Sequence, residues 1–333
     1  MIEKQPMICV VGPTGVGKSE LSVEIALKYG GEVVSADSMQ IYRGMDIGTA
    51  KLRPEEMCGV PHHLLDIADP SEKFTVAEWK RQADRVIDDI LARGRLPVVC
   101  GGTGLYVRAL LDDLDFSQTP EDAELRAALD RRANEEGLQR LYEELCARDP
   151  ERAKMIHPHD RKRIVRALEV ALLRGRGMSA DYDWTPRQGR YEALVLGITM
   201  PREALYKRID ARVETMWRRG LADEVRRLLQ AGVPVEGTAM QAIGYKEVVA
   251  YLNGSVSEEE AIRIIQQSTR RFAKRQWSWF RHDPRVRWFA KGEDGQFPKD
   301  EIARLWASID HFLQDIGWWS ANRSSTCRLE SES

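Results

Sequence analysis

The chain holds no run approaching the roughly 18 consecutive apolar residues that a membrane-spanning helix needs, and no span is expected. Cysteine is scarce and scattered: five occur, at 9, 58, 100, 146 and 327, and none forms a Cys-x-x-Cys pair. That usage argues against a disulfide framework and against a zinc site of ordinary spacing. Cys9 and Cys100 lie in or at the ends of apolar runs and are expected to be plain core residues. His62-His63 and His157-x-His159 lack a second cluster of Cys, Asp or Glu at ligand spacing, which leaves a metal centre unsupported there. There is no excess of charge of either sign, the formal net charge being −2, so only a local basic patch could serve a nucleic acid. No internal repeat is visible. The first strand begins by about Met7, too early for a signal peptide to precede it, and the cytoplasm is the expected compartment.

What is present is a length of 333 residues, enough for two domains or for one carrying a large insertion. Apolar residues at 43% and charged residues at 31% are ordinary for a globular protein. Met7-Ile8-Cys9-Val10-Val11 predicts a short strand breaking into glycines, followed by a helix from about Lys18 to Lys28. Glu32 to Ala36 reads as a second strand ending at Asp37. A helix from Val76 to about Arg93 follows, with Val76, Trp79, Ala83, Val86, Ile87, Ile90 and Leu91 on one stripe, a Thr75/Glu78 capping box and Gly94 as its stop. Pro97-Val98-Val99-Cys100 is a third strand. Alternating strands and helices predict an α/β fold with a parallel sheet covered by helices on both faces. Thr119-Pro120-Glu121 then opens a charged, wholly helical stretch. Strand character returns at Glu192 to Ile198. Two long helices are expected, about Arg202 to Ala231 and Glu258 to Arg281, the second with a Ser257/Glu260 capping box. The predicted organisation is a core of 1–112 and 191–319, a helical insertion over 113–190, and a polar tail, 320–333, expected to be disordered.

Gly12-Pro13-Thr14-Gly15-Val16-Gly17-Lys18-Ser19 matches G-x-x-x-x-G-K-[ST] at every fixed position, directly after a strand and at the start of a helix. The glycines let backbone N–H groups turn inward around phosphate oxygens. The helix N-terminus adds a positive dipole end, Lys18 a point charge, and Ser19 a hydroxyl placed for Mg²⁺. The motif says phosphate without naming a reaction. A small-molecule or nucleotide kinase is the natural alternative, and it expects an acidic residue after a later strand. The third strand instead ends in Gly101-Gly102-Thr103-Gly104; the acidic residue is Asp37, after the second.

Further blocks extend the pattern. They are Ser35-Ala36-Asp37-Ser38-Met39-Gln40-Ile41-Tyr42, Asp46-Ile47-Gly48-Thr49-Ala50-Lys51, Pro61-His62-His63-Leu64-Leu65-Asp66 and Gly101 to Tyr106. Asp160-Arg161-Lys162-Arg163-Ile164-Val165-Arg166-Ala167-Leu168-Glu169-Val170, Gln241 to Glu247 and Arg271 to Gln276 complete the set. Together with the glycine-rich loop, and in this order, the blocks closely resemble the tRNA dimethylallyltransferases, or isopentenyl-tRNA transferases. The resemblance implies a P-loop NTPase-like core with a helical insertion that grips the anticodon stem-loop. It implies dimethylallyl diphosphate as donor, Mg²⁺ as metal, and N6 of the adenosine 3′ to the anticodon as acceptor. It also implies Asp37 as general base, with Lys18 and Thr103 beside it in catalysis. Gly12, Pro13, Thr14, Gly15, Val16, Gly17, Lys18 and Ser19 would hold the diphosphate, Ser19 also ligating the metal. Asp37, Ser38, Met39, Gln40, Thr103, Arg126, Lys162, Arg163, Ile164, Val165 and Arg166 match tRNA-contacting positions, and Tyr245 and Lys246 lie in a further matching block. Eukaryotic members add a C-terminal zinc finger, for which this chain lacks the cysteines, so it is similar to the bacterial form.

The chemistry suits these residues. Adenine's exocyclic amine is a weak nucleophile, and a carboxylate such as Asp37 can take its proton as the new bond forms. The alternative for Asp37 is a place in the outer shell of Mg²⁺. An adenine in an anticodon loop must be extruded, and basic residues should then track the backbone. Arg161, Lys162, Arg163 and Arg166 form one cationic cluster. Arg263, Arg270, Arg271, Lys274, Arg275 and Arg281 form another, interleaved with Phe272, Trp277, Trp279 and Phe280. Phe272 and Trp279 are expected in the core. A relative that alkylates free AMP would need neither cluster. A non-catalytic RNA-binding switch is a third reading, and the guanine-reading [N/T]-K-x-D signature it would favour is missing. One catalytic site per chain makes a monomer the expected state.

Overall fold

The computed structural model describes residues 4–114, 116, 122–174, 187 and 189–319. It divides into two compact units, Met1–Leu114 with Pro186–Ser333, and Asp115–Thr185.

The first unit is built on a six-stranded parallel sheet of order β3-β2-β4-β1-β5-β6. Its strands are β1 (Gln5–Val11), β2 (Gly31–Ser35), β3 (His62–His63), β4 (Leu96–Gly101), β5 (Tyr191–Thr199) and β6 (Val286–Ala290). Central β1 pairs with β4 and β5, setting Ile8 opposite both Val98 and Leu194. Its unbroken apolar run is explained by burial on both faces. Met7, Cys9 and Val11 enter one core with Trp79, Ala83, Ile87 and Ile90 of α2 (Val76–Ala92). Ile8 and Val10 enter the other, against Leu21 and Ile25 of α1 (Lys18–Tyr29). The predicted Thr75/Glu78 capping box is present, and α2 ends at Arg93 and Gly94, the latter at φ 67°.

The remaining helices are α3 (Gly104–Leu111), α4 (Ala123–Glu135), α5 (Leu138–Arg148), α6 (Pro150–Lys154) and α7 (Arg161–Arg174). After β5 come α8 (Arg202–Arg218), α9 (Leu221–Gln230), α10 (Tyr245–Leu252), α11 (Glu258–Phe280) and α12 (Lys299–Asp315). α12 adds Leu305, Ile309 and Leu313 to the α1 face of the sheet. Helices α4 to α7 make up the second unit, around Leu129, Leu141, Leu145, Ile164 and Leu168. No described helix is long and apolar enough to cross a membrane.

Several local expectations are corrected. The single helix expected over 202–231 is two, because Gly220 at φ 93° caps α9 in a conformation that only glycine adopts cheaply. His62 and His63 form a short edge strand, paired with Val33 and Val34. Ser257 caps α11 by accepting the Glu260 N–H at 3.2 Å, without the return bond of a full capping box. Thr119-Pro120-Glu121 and the tail 320–333 lie outside the described residues; α4 is capped by Asp122, whose carboxylate accepts the N–H groups of Glu124 and Leu125.

Candidate active site

The glycine-rich loop fills the gap between the C-terminal end of β1 and the start of α1, as its sequence requires. Gly12, at φ 139°, passes so near β5 that a Cβ there would lie 2.4 Å from the Ile198 carbonyl oxygen. Gly17, at φ 90°, turns the chain into α1. Lys18 folds back to donate to the Pro13 carbonyl at 2.9 Å. The loop is tied to the rest of the sheet by Gln276 of α11, which is buried. Its Oε1 accepts the Thr14 N–H at 2.8 Å, and its Nε2 donates to the Gly102 carbonyl after β4 at 3.0 Å.

Asp37 follows β2 and faces the same region. Its Oδ1 accepts the N–H groups of Met39 at 2.9 Å and Gln40 at 3.4 Å, and Oδ2 has no hydrogen bond to any described residue. The Thr103 hydroxyl accepts the Ser38 N–H at 3.0 Å, so the start of α3 braces the turn that holds Asp37. Gln40 donates to the Thr49 carbonyl at 3.2 Å, joining that turn to the Asp46–Lys51 loop.

Two cavities meet at Asp37. One, about 490 Å³, is lined by the phosphate loop including Lys18 and Ser19, and by Arg208 and Arg212. The other, about 370 Å³, carries apolar walls from Ile209, Val213, Met216 and Ile265, with Phe272 and Arg275 beside them. Thr14, Asp37, Thr49 and Arg212 line both. Phe272, expected in the core, is therefore a cavity wall with the Arg275 guanidinium over its ring. Cys100 is also more than a packing residue: although buried, it lines the phosphate-loop cavity.

The local sequence reading missed Arg208 and Arg212. They stand one turn apart on α8, where i,i+4 spacing puts both on the face toward the loop. Arg208 donates to the Gly15 carbonyl at 3.2 Å and Arg212 to the Thr14 hydroxyl at 3.4 Å, and neither has a carboxylate partner among the described residues. Burial pushes the Lys18 ammonium down to about 8, opposed by the Cys100 and Asp37 charges. Burial likewise lowers Arg212, again opposed by Asp37. Desolvated cations that no carboxylate hydrogen-bonds among the described residues make a site suited to an anion.

Glu224 of α9 was also missed. Its buried carboxylate accepts the backbone N–H groups of Asp46 at 3.0 Å, Ile47 at 2.7 Å and Gly48 at 3.0 Å, and the Tyr245 hydroxyl at 2.6 Å. Gly48 has no room for a side chain, since a Cβ would fall 2.5 Å from the Tyr245 ring. Glu224→Ala strands four donors, the N–H groups of Asp46, Ile47 and Gly48 in part-buried bonds and the buried Tyr245 hydroxyl, at up to about 1–3 kcal/mol each. A Tm drop on the order of 10 °C is expected in differential scanning fluorimetry, with a higher donor KM. A Tm within about 2 °C of wild type would show that the loop holds without the clamp.

The other predicted positions fall in the second unit. Arg126 on α4 and Lys162, Arg163 and Arg166 on α7 are partly or fully exposed, whereas the side chains of Ile164 and Val165 are buried in that unit's core. Those two serve as packing, and the segment's cations are what it offers to solvent. Trp277 on α11 is 40% exposed beneath the Arg281 guanidinium.

A parallel sheet of this order, with a phosphate loop at the end of its central strand, defines a P-loop NTPase-like enzyme. Asp37 stands where the loop's cavity and the second, partly apolar cavity meet. The family model described as IPP transferase matches residues 40–283. The tRNA dimethylallyltransferase of Symbiobacterium thermophilum is 51% identical over 304 residues, covering 91% of this chain and 95% of that protein. That of Carboxydothermus hydrogenoformans is 46% identical over 312 residues, covering 93% and 99%. The crystal structure of the full-length tRNA isopentenylpyrophosphate transferase of Bacillus halodurans superposes with a TM-score of 0.71 at 42% identity, over 96% of this chain and all of that one. A eukaryotic dimethylallyltransferase captured acting on tRNA gives 0.78 at 29% identity, over 93% and 80%. The chain belongs to the IPP transferase family, whose curated members are tRNA dimethylallyltransferases.

Proposed function

We propose that this enzyme transfers a dimethylallyl group from dimethylallyl diphosphate to N6 of the adenosine 3′-adjacent to the anticodon in tRNA, releasing diphosphate. The observation that carries the reading is the position of Asp37 where a cationic phosphate-loop cavity meets an apolar one. The loop N–H groups, Lys18, Arg208 and Arg212 hold the diphosphate, and the apolar walls receive the five-carbon group. Asp37 takes the N6 proton while the bond from N6 to the allylic carbon forms. The bond from that carbon to oxygen breaks, and its electron pair leaves on the diphosphate, where the loop stabilises the charge. Thr103 keeps the Asp37 turn in place.

No group of three His, Cys, Asp or Glu suited to a metal occurs among the described residues. The Ser19 hydroxyl in the phosphate cavity fits a metal held mainly by substrate oxygens and water, which is the habit of Mg²⁺. When bound there, Mg²⁺ would neutralise charge on the departing diphosphate. For the RNA, the reading assigns contacts to the Asp37–Gln40 turn, Thr103, the cations of α11, and, on the 113–190 segment, Arg126, Lys162, Arg163 and Arg166. All the groups that act on the donor lie in one chain, so a monomer suffices. Work on tRNA suits a cytoplasmic enzyme.

The test is direct. Purified protein, Mg²⁺, dimethylallyl diphosphate and an anticodon stem-loop with adenosines at and beside the 3′ flank are incubated, and the digested RNA is examined by mass spectrometry. A dimethylallyl adduct on N6 of the flanking adenosine is expected. No adduct, with ATP consumed instead, would replace this reading with the kinase.

A further inference from the structure

A further cavity, about 380 Å³, adjoins the phosphate loop but takes in neither Asp37 nor Lys18; its walls include Glu20, Glu24, Arg208, Lys291, Gln296 and Phe297. Lys291 follows β6 and reaches back to the loop. A Cβ on Gly17 would fall 2.7 Å from its Nζ and 2.9 Å from Oε2 of Glu20. Lys291 is only 8% exposed, and its ammonium lies 5.0 Å from the centre of the Phe297 ring. It makes no hydrogen bond and no close ion pair among the described residues. Burial holds it below the usual lysine value, with Glu20 and Glu24 opposing that shift and Arg208 adding to it. Arg208 stands between two cavities: its Nε donates to the Gly15 carbonyl, and its Nη1 packs against Gly295, where a Cβ would collide with it. Glu20 and Glu24, one turn apart on α1, are exposed and also without a close partner among the described residues.

Packing alone does not call for this arrangement. A lysine kept for its apolar stem carries its ammonium out to water, whereas Lys291 carries it into a cavity wall, where an unpaired charge is costly. An anion in the cavity would offset that cost, but not every anion fits. The two carboxylates cancel the two cations, and an ionised carboxylate can only accept hydrogen bonds. Glu20 and Glu24 therefore repel an anion that has lone pairs alone and favour one that still carries a proton. A protonated phosphate group has both parts: oxygens for Lys291 and Arg208, and an O–H for a glutamate. Sulfate at neutral pH has no proton to give.

We propose that this cavity is a second phosphate site, separate from the donor site, in which Lys291 and Arg208 hold the oxygens of a protonated phosphate group and Glu20 or Glu24 accepts its O–H. The site goes beyond the transferase reading and does not need it.

The test is equilibrium dialysis of the full-length enzyme against radiolabelled inorganic phosphate. Saturating dimethylallyl diphosphate fills the glycine-rich loop, and RNA is left out so that nothing turns over. One labelled phosphate per chain is expected to stay bound, with sulfate competing about tenfold less well than unlabelled phosphate. Lys291→Met is expected to weaken that binding about tenfold, the scale of one lost hydrogen bond to a charged group. Glu20→Gln together with Glu24→Gln is expected to bring sulfate level with phosphate, since an amide can donate. Methionine keeps the length of the stem and removes a buried charge, so the fold should persist. Should Lys291→Met fail to melt cooperatively, the wild-type preference for phosphate over sulfate, and its loss in the paired glutamine variant, decide alone. Sulfate held as tightly as phosphate, unchanged binding in Lys291→Met, or no phosphate retained beside the donor would overturn the proposal. Glycerol phosphate separates the sources: competition equal to that of inorganic phosphate assigns the site to a phosphomonoester, and competition about tenfold weaker assigns it to free phosphate. Two phosphates retained in the presence of donor, one of them lost in Lys18→Met, would mean that the donor does not fill the loop. The transferase reading would then fail while this site stands.

Discussion

Asp37→Asn is expected to lower kcat by about 10²–10⁴-fold, the usual range for losing a general base. The substitution isolates the proton transfer. Asparagine keeps an oxygen where Oδ1 accepts the Met39 and Gln40 N–H groups, so the turn and its Thr103 brace survive. Only the basic oxygen at Oδ2 is lost. Donor KM should stay within about twofold, because the proposed diphosphate contacts come from the loop and α8 rather than from Asp37. Single-turnover formation of the N6 adduct, followed by mass spectrometry, separates the chemical step from RNA release. A rate within about threefold of wild type would remove Asp37 from the base role and leave it the outer shell of the metal.

Lys18→Met carries the second large effect. It deletes the desolvated charge that the proposed reaction sets against the leaving group, while keeping a side chain of similar length. A fall of about 10²–10³-fold in kcat/KM for dimethylallyl diphosphate is expected, comparable to losing one preorganised oxyanion donor. The pH profile gives an independent signature. Lys18 in the ligand-free enzyme is pushed down to about 8 by burial, and an arriving diphosphate favours its charged form. Wild-type kcat/KM should therefore fall about tenfold per unit above pH 8, with proton uptake on donor binding, and the variant should lack that limb. The stability linkage has the opposite slope. Between about 8 and the ordinary lysine value of 10.5 the unfolded chain holds a proton that the ligand-free fold has released. The fold thus gains stability as pH rises through that window, and below it the cost of charging Lys18 is fully present. A flat wild-type profile up to pH 10 would show that Lys18 keeps its proton in the site.

The sequence by itself determined the layered α/β architecture and the phosphate loop. Both rest on local signals: the apolar run of β1, the 3.6-residue stripe of α2, and glycines at the fixed spacing that lets amides turn inward. These are properties of neighbouring residues and survive without any knowledge of the fold. Local reading failed where a weak signal competed with a strong one. Gly220 sits inside an apolar periodicity that runs on through α8 and α9, and only its φ reveals the break. The edge strand β3 is too short to show a period, and β6, with Arg287 and Trp288 inside it, becomes a strand by pairing with β5.

The surroundings of the phosphate loop were decided by tertiary structure. Thr103 reaches Ser38 across 65 residues, Arg212 reaches Thr14 across 198, and Gln276 reaches Thr14 across 262. Glu224 clamps the Asp46–Gly48 backbone from more than 170 residues away. No spacing rule links such pairs, because their proximity comes from the order in which six parallel strands and their crossover helices stack. The same stacking put Cys100 and Phe272 on cavity walls when their composition pointed to the core. A side chain's neighbours in the chain set its propensity. Whether it faces a core, a phosphate or an adenine is set by what the sheet brings against it.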